Sequence, residues 1–491
     1  MKKTRVWVRI LCLALAALMI LGVVVSAVMG AYAEEDRDQY RLDMYYHQDS
    51  QAFEVSQVLT YRNRTGQSLS CVRFHLYENA FRRNATAPFV SDELTDAYPE
   101  GFAPGGVDFV SVTVDGEKAD WGVYGPGETY LRVDAQMEPG EEREFRFDFY
   151  VLLPTSRGRC GAGGLDVRLC QFYPVAAVWD DDLHDFALQP ASPLGKSLYS
   201  GAADYRVTVD VPASCIVAAT GELTAEETLP GYRKRVTFEA EAREFALAMS
   251  RRYSVISAGD ATVYTANAPG ASDALNALDS AMAWFARWLG PCPAVRLAES
   301  DILDDGISFP GLILIRSGLL ASGGRELEWE IVRQAAQQYF SCLVGPDPAH
   351  NPFLCDSLSE YAALLYFEDA HGHQDYLDRL NERCLPALQI TLPGALTVDG
   401  SVYLFDSRQD YDAVIRERGC AVLHEMRSLM GREELMDGIR LYVERFSGKN
   451  AALSDFVAAL DDATGKRWDE LLVGQMRTIG EYARQDMTRY E

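Results

Sequence analysis

What most constrains this chain is a change of hydrophobic period near residue 260. From about residue 40 to residue 253, apolar and polar residues alternate in short runs. Phe53-Glu54-Val55-Ser56-Gln57-Val58-Leu59-Thr60-Tyr61 and Tyr205-Arg206-Val207-Thr208-Val209-Asp210-Val211 are examples. A period of two broken by turns describes antiparallel strands with one buried and one wet face, a sandwich or saddle-shaped sheet. After one more strand at Ala261-Thr262-Val263-Tyr264, apolar residues recur at helical spacing over 272–289, 326–343, 355–368, 412–430, 432–446 and 453–463. The fold class is therefore α+β: an antiparallel β domain over 34–258, then a mainly helical domain over 259–491. With 48% hydrophobic residues in 491, both halves can bury real cores. No repeat or low-complexity linker separates them, so they are expected to pack tightly.

The first 33 residues have the order of an export signal. Lys2, Lys3, Arg5 and Arg9 precede an uncharged run over 10–30, and Ala31-Tyr32-Ala33 stands before Glu34-Glu35. The run is long enough to cross a bilayer, so a cleaved signal peptide and an N-terminal membrane anchor both remain open. Either way the remainder is expected to be exported, secreted or held on the extracellular face of the membrane. Formal charge is −26 with the leader; without its four cations, 42 Lys and Arg face 72 Asp and Glu, giving −30. Such a surface repels phosphate backbones, so nucleic acid is not an expected partner.

Nine cysteines follow the leader. Cys71, Cys215, Cys292, Cys342 and Cys420 sit singly in apolar stretches, as buried thiols do. Cys160 and Cys170 bracket Gly161-Ala162-Gly163-Gly164 and form the best candidate disulfide. No C-x-x-C spacing suggests a zinc knuckle.

Four segments resemble the alanyl aminopeptidase (M1-like) family of gluzincin zinc peptidases. Gly306-Ile307-Ser308-Phe309-Pro310-Gly311-Leu312 is similar to the substrate-binding strand G-M-E-N-P-G-L. Arg333-Gln334-Ala335-Ala336-Gln337-Gln338-Tyr339-Phe340, followed by Leu343-Val344-Gly345-Pro346-Asp347, resembles H-E-x-A-H-Q-W-F and its continuation L-V-G-x-D. Pro352-Phe353-Leu354-Cys355-Asp356-Ser357-Leu358-Ser359-Glu360-Tyr361 resembles P-W-L-x-E-G-L-A-E-Y. Residues 411–423 resemble Y-x-x-V-x-Y-x-K-G-A-x-x-L, with Arg418-Gly419 in place of K-G. The resemblance implies a β-saddle domain followed by a thermolysin-like catalytic domain, in the short two-domain form. It also implies that Gln171, in Gln171-Phe172-Tyr173-Pro174, is lent to the site by the β domain.

The residues at the family's working positions carry different chemistry. Two histidines four apart on a helix and a later glutamate bind zinc in active members; here those positions hold Arg333, Gln337 and Asp356. Arginine has no lone pair to offer a metal, and glutamine is a poor zinc ligand. Gln334 stands where the general base is expected and cannot take a proton from water. Ser308 replaces the glutamate that recognises the substrate amine, and Arg416 replaces the tyrosine that steadies the oxyanion. The expectation is a non-catalytic exported relative without zinc, taking a peptide or protein ligand. An active zinc aminopeptidase with its site elsewhere, and a structural envelope component, remain the alternatives.

The histidines offer no relocated H-E-x-x-H. His424-Glu425 reads as part of a packing helix. His371-Gly372-His373 with Asp369 and Asp375, and the acidic run Asp180-Asp181-Asp182, read as polar loops and turns. Two expectations concern the altered cleft. Arg333 is expected to pair with Asp356 in place of the metal. A cleft lined by Gln171, Tyr339 and Arg416 would favour ligand binding, with Arg416 available to a carboxylate, against the alternative of a filled core.

Overall fold

The computed structural model describes residues 37–391 and 396–482; the leader lies outside them. The alternating segments form an eight-stranded sheet. In spatial order its strands are Glu222–Leu229, Arg233–Ala242, Ala203–Pro212, Asp38–His47, Ala52–Arg62, Glu142–Leu152, Gly106–Val114 and Glu117–Lys118. Its first strand shows how the pattern sets the register: Tyr40, Leu42, Met44 and Tyr46 are buried, while Arg41, Asp43 and Tyr45 face outward. Pairing is antiparallel except between Asp38–His47 and Ala203–Pro212, which run parallel with Tyr40 opposite Tyr205. Two four-stranded sheets and a two-stranded pair, Trp179–Asp180 with Asp185–Phe186, belong to the same domain.

Strand Ser254–Ala258 pairs with Ala261–Thr265, opening the five-stranded sheet of the second domain. That sheet continues through Arg296–Ser300 and Leu312–Arg316 and ends on Gly306–Phe309. Among the described residues, eight helices of twelve or more residues follow or flank it: α1 Ala271–Leu289, α2 Gly324–Gln337, α3 Leu358–His371, α4 His373–Gln389, α5 Gly419–Met430, α6 Arg432–Phe446, α7 Leu453–Thr464 and α8 Asp469–Tyr482. Helix α1 buries Ala274, Ala277, Leu278, Ala281, Trp284, Phe285 and Trp288, a single 3.6-period stripe. It stops at Gly290, whose φ of +95° suits glycine. Among the described residues no helix is long and apolar enough to cross a membrane.

Three expected helices are interrupted. The run over 326–343 is helix α2 followed by a π-helical turn Gln338–Leu343. Helix α3 is preceded by a π turn Phe353–Ser357, and α5 by a π turn Asp412–Arg418. Each wide turn displaces the following side chains from α register, and such turns concentrate at functional sites. Here they carry Asp356 and Arg416.

The two halves share a core. Ala298, Ile307, Phe309 and Leu314 of the second sheet pack with the β domain, while Leu194, from a β-domain loop, is buried among the helices. A fully buried ion pair lies at this seam. Arg168 meets Asp166 at 2.6 Å and donates to the Ser156 and Gly158 carbonyls, and Asp166 accepts from Ser300 Oγ at 2.6 Å.

The expected Cys160–Cys170 disulfide is not formed, and the nine described cysteines are free. The strand register sets Arg168 opposite Gly161 and Val167 opposite Ala162, so the two cysteines do not face one another, and the Cys160 thiol donates to the Arg168 carbonyl at 3.4 Å.

Candidate functional site

The four matched segments converge. The hairpin from Gly306–Phe309 to Leu312–Arg316 lies along α2. Ser308 Oγ donates to the Gln334 carbonyl at 3.2 Å, and Gln334 Nε2 donates to the Gly306 carbonyl at 2.8 Å. Gln338 completes the seam: its amide donates to Ser308 Oγ and to the Phe309 carbonyl at 3.0 Å, and its oxygen accepts from Gly311 N at 2.9 Å. All of these side chains are buried.

Asp356 is held from two sides. Gln337 Nε2 donates to Oδ1 at 2.7 Å, and the Tyr411 hydroxyl donates to Oδ2 at 2.5 Å. Burial and the neighbouring Asp356 charge push the Tyr411 phenol well above its ordinary value, so it remains a donor. Gly195 of the β-domain loop, at φ +59°, lies against the Tyr411 ring and hydroxyl with no room for a Cβ. Gln337, Asp356 and Tyr411 are thereby sealed at 4, 3 and 1% exposure.

The expected Arg333–Asp356 pair is not made. Arg333 turns to its own helix, with Nη2 and Nε 2.5 and 3.0 Å from the two Glu330 oxygens, and Nε lies 3.8 Å from Glu360. Glu330 is one helical turn away on the same face, whereas Asp356 is already saturated by neutral donors. Burial opposes the Arg333 charge, but Glu330 and Glu360 overcome it and hold the guanidinium above its ordinary pKa.

The proposed cleft trio is not brought together. Tyr339 is fully buried in the helical core with its hydroxyl on the Gly290 carbonyl at 3.0 Å. Gln171, at φ +53°, donates to Glu244 at 3.1 Å and lines a small cavity of about 50 Å³ beside Glu78 and Arg159. Arg416 lines a separate open cleft of about 440 Å³, which shares Leu303, Asp304 and Arg408 with the small cavity. That cleft is acidic: nine carboxylates face Arg333, Arg383, Arg408 and Arg416. Arg416 is itself 3.0 Å from Asp412, which answers its charge within the cleft.

Residues the sequence reading missed are Glu330, Glu360, Tyr411 and Gln338. Tyr411 and Glu360 stood inside matched segments, and Glu330 was legible as an i−3 acid to Arg333. The covering loop around Gly195 left no periodic signal.

The donor set does not fit a zinc ion. Both Asp356 oxygens accept hydrogen bonds, Gln337 presents its NH₂ to the carboxylate, and Arg333 is a cation. Among the described residues no three His, Cys, Asp or Glu side chains converge as a metal cage. His371 is bonded to Glu328 and His373 to Glu368.

This architecture, a β-rich domain ahead of a helical domain with a hairpin alongside its central helix, is that of two-domain zinc metallopeptidases. Residues 353–476 match the peptidase family M1 domain. An M1 zinc metallopeptidase from Deinococcus radiodurans superimposes with a TM-score of 0.60 at 16% identity, over 90% of this chain and 93% of that one. A mutant of that enzyme bound to a Tyr-Ser-Ala substrate gives 0.63 at 17% identity, over 90% and 94%. Aminopeptidase N of Escherichia coli strain K12 is 34% identical over 64 residues, which spans 12% of this chain and 7% of that protein. The chain thus resembles M1 peptidases in two ways: residues 353–476 match that family's domain, and the fold of both halves is shared with a solved M1 zinc metallopeptidase.

Proposed function

We propose that this chain is an exported pseudo-peptidase, a peptide- or protein-binding accessory protein built on the M1 scaffold and working without zinc. The observation that carries this reading is the closed network at the ligand positions, where Gln337 and Tyr411 occupy both oxygens of Asp356 and Arg333 is committed to Glu330. Each residue the family would use for metal or base is engaged by a protein partner of complementary charge or polarity. Gln334 cannot act as a base, and it bonds Glu330 at 2.7 Å and Gly306. The open acidic cleft beside the network supports a binding role over a filled core. The leader pattern of the first 33 residues supports export, with membrane attachment if that segment is retained.

Elemental analysis of the purified native chain, together with a peptide-hydrolysis assay, tests the proposal. The expected result is substoichiometric zinc and no turnover with or without added zinc. One tightly held zinc per chain with turnover would overturn it and point to an aminopeptidase whose site lies elsewhere.

A further inference from the structure

Two thiols meet inside the helical domain. Cys384 stands on α4 and Cys420 at the start of α5, at 2 and 0% exposure, within one apolar core. Helix α4 packs against α5 and against the π turn Asp412–Arg418 that leads into it. Arg418 clasps the two elements: Nε donates to the Ala387 carbonyl at 3.1 Å and Nη2 to the Ile390 carbonyl at 2.6 Å. The clasp begins three residues beyond Cys384 on one side and stands two before Cys420 on the other. Beside it the two cysteine side chains share a thiol-to-thiol hydrogen bond.

A thiol is a weak donor and a weak acceptor, so this bond alone does little to hold two helices together. Contact between two sulfurs is what a disulfide requires, because cysteines whose side chains point apart cannot be bridged without moving the backbone. Cys160 and Cys170 fail that condition, and Cys384 and Cys420 meet it. The leader pattern directs the chain to a compartment in which disulfides persist. A bond here encloses residues 385–419, the stretch that brings Tyr411 to Asp356 and Arg416 to the open cleft.

We propose that Cys384 and Cys420 are oxidised to a disulfide when the chain folds in an oxidising compartment, stapling α4 to α5 around the segment that seals Asp356. The inference rests on the export reading above and not on what the cleft binds. The oxidant is itself a disulfide, such as oxidised glutathione. One cysteine thiolate attacks it and expels a thiolate; the second cysteine attacks the mixed disulfide, forming the Sγ–Sγ bond and expelling the other. The two cysteines lose two electrons and two protons, and the oxidant is reduced to two thiols. Both sulfurs are sealed in the finished fold, so the bond forms during folding and not after it.

The test is peptide mapping of the full chain, reduced and unfolded, then refolded with either oxidised glutathione or dithiothreitol. Free thiols are capped with N-ethylmaleimide in denaturant before digestion. Trypsin places Cys384 in the peptide 384–408 and Cys420 in 419–427, each with a single cysteine. The expected result is that these two peptides are linked in most of the glutathione-refolded chain and separate after dithiothreitol. Oxidised chain is expected to melt about 5 °C or more above reduced chain, and Cys384→Ala to abolish that difference. Reduced chain that is already folded is expected to resist glutathione. Both cysteines capped after oxidative refolding, or each linked to another partner, overturns the pairing and leaves the export reading untouched, because refolding does not use the leader. A linked pair with no rise in melting temperature overturns the stapling. The same mapping on chain capped at lysis of expressing cells reads the compartment: capped thiols there, with the link formed on refolding, overturn the export reading and spare the pairing.

Discussion

Glu78 offers the sharpest quantitative consequence of the fold. It lies on the short turn Tyr77–Arg82 of the β domain, 1% exposed, and neither carboxylate oxygen has a hydrogen-bond partner among the described residues. The Cys160 thiol eases its charge a little but is itself directed at the Arg168 carbonyl. Burial accordingly pushes the carboxyl from 4.5 up to about 8. Between those values the folded chain holds a proton that the unfolded chain has released. Unfolding then releases a proton, so stability is greatest at low pH and falls as pH rises from the unfolded value through the folded one.

At about 1.4 kcal/mol per pK unit, integration from pH 5 to pH 8 gives a loss of about 3–4 kcal/mol from this one group. Glu78→Gln removes the titration while keeping the shape. Its own unpaired amide adds a pH-independent penalty of about 1–3 kcal/mol, so the absolute stability at one pH decides nothing. The readout is the difference between wild type and variant across pH. Urea unfolding followed by tryptophan fluorescence at pH 5, 6, 7 and 8 should show the variant gaining on the wild type by about 3–4 kcal/mol over that range. Curves that stay parallel within about 1 kcal/mol would refute the argument, because every other titrating group cancels in the difference.

The sealed network makes two further predictions. Tyr411→Phe removes one of two donors to the buried Asp356 carboxylate and should lower stability by about 1.5–3 kcal/mol in urea unfolding. Gly195→Ala places a Cβ against the Tyr411 hydroxyl in a left-handed conformation and should cost about 2 kcal/mol or more, measured the same way.

The fold was largely legible because its signals are local. The period of two fixed which face of Asp38–His47 is buried, and the 3.6-residue stripe of α1 fixed its packing face. Helix α4 went unseen because Pro386 breaks the pattern near its end, and the parallel pairing of distant strands has no local mark. The site was legible in position and less so in contacts. The matched segments did bring Ser308, Gln334, Gln337 and Asp356 to one place. The partner of Arg333 was misjudged because three uncharged residues set the answer: Gln337 and Tyr411, both inside matched segments, satisfied Asp356, and Gly195, outside them, closed over Tyr411. Once Asp356 was satisfied, the guanidinium turned to the acid one turn back on its own helix. A π turn between α2 and the segment that follows is invisible to a 3.6-residue count, and it is at such turns that Asp356 and Arg416 stand.

The same reasoning predicts what installing the zinc-peptidase motif would do. Arg333→His, Gln334→Glu and Gln337→His together recreate H-E-x-x-H on α2, yet the surroundings are built for the present residues. Removing Arg333 strips the buried Glu330 of the cation 2.5 Å away. Glu360 keeps only Arg383 at 3.5 Å. A glutamate at 334 would replace an amide that now donates to Glu330 at 2.7 Å, setting two carboxylates against each other. Breaking a buried pair in this way costs about 3–5 kcal/mol, and the new carboxylate contact adds to it. The metal-free triple variant should therefore unfold at a clearly lower temperature than the native chain. Zinc, if the new histidines and Asp356 can take it, should raise the variant's melting temperature with increasing concentration and leave the native chain unmoved. A triple variant as stable as the native chain without metal would show that the Arg333–Glu330 pair does not hold this part of the fold.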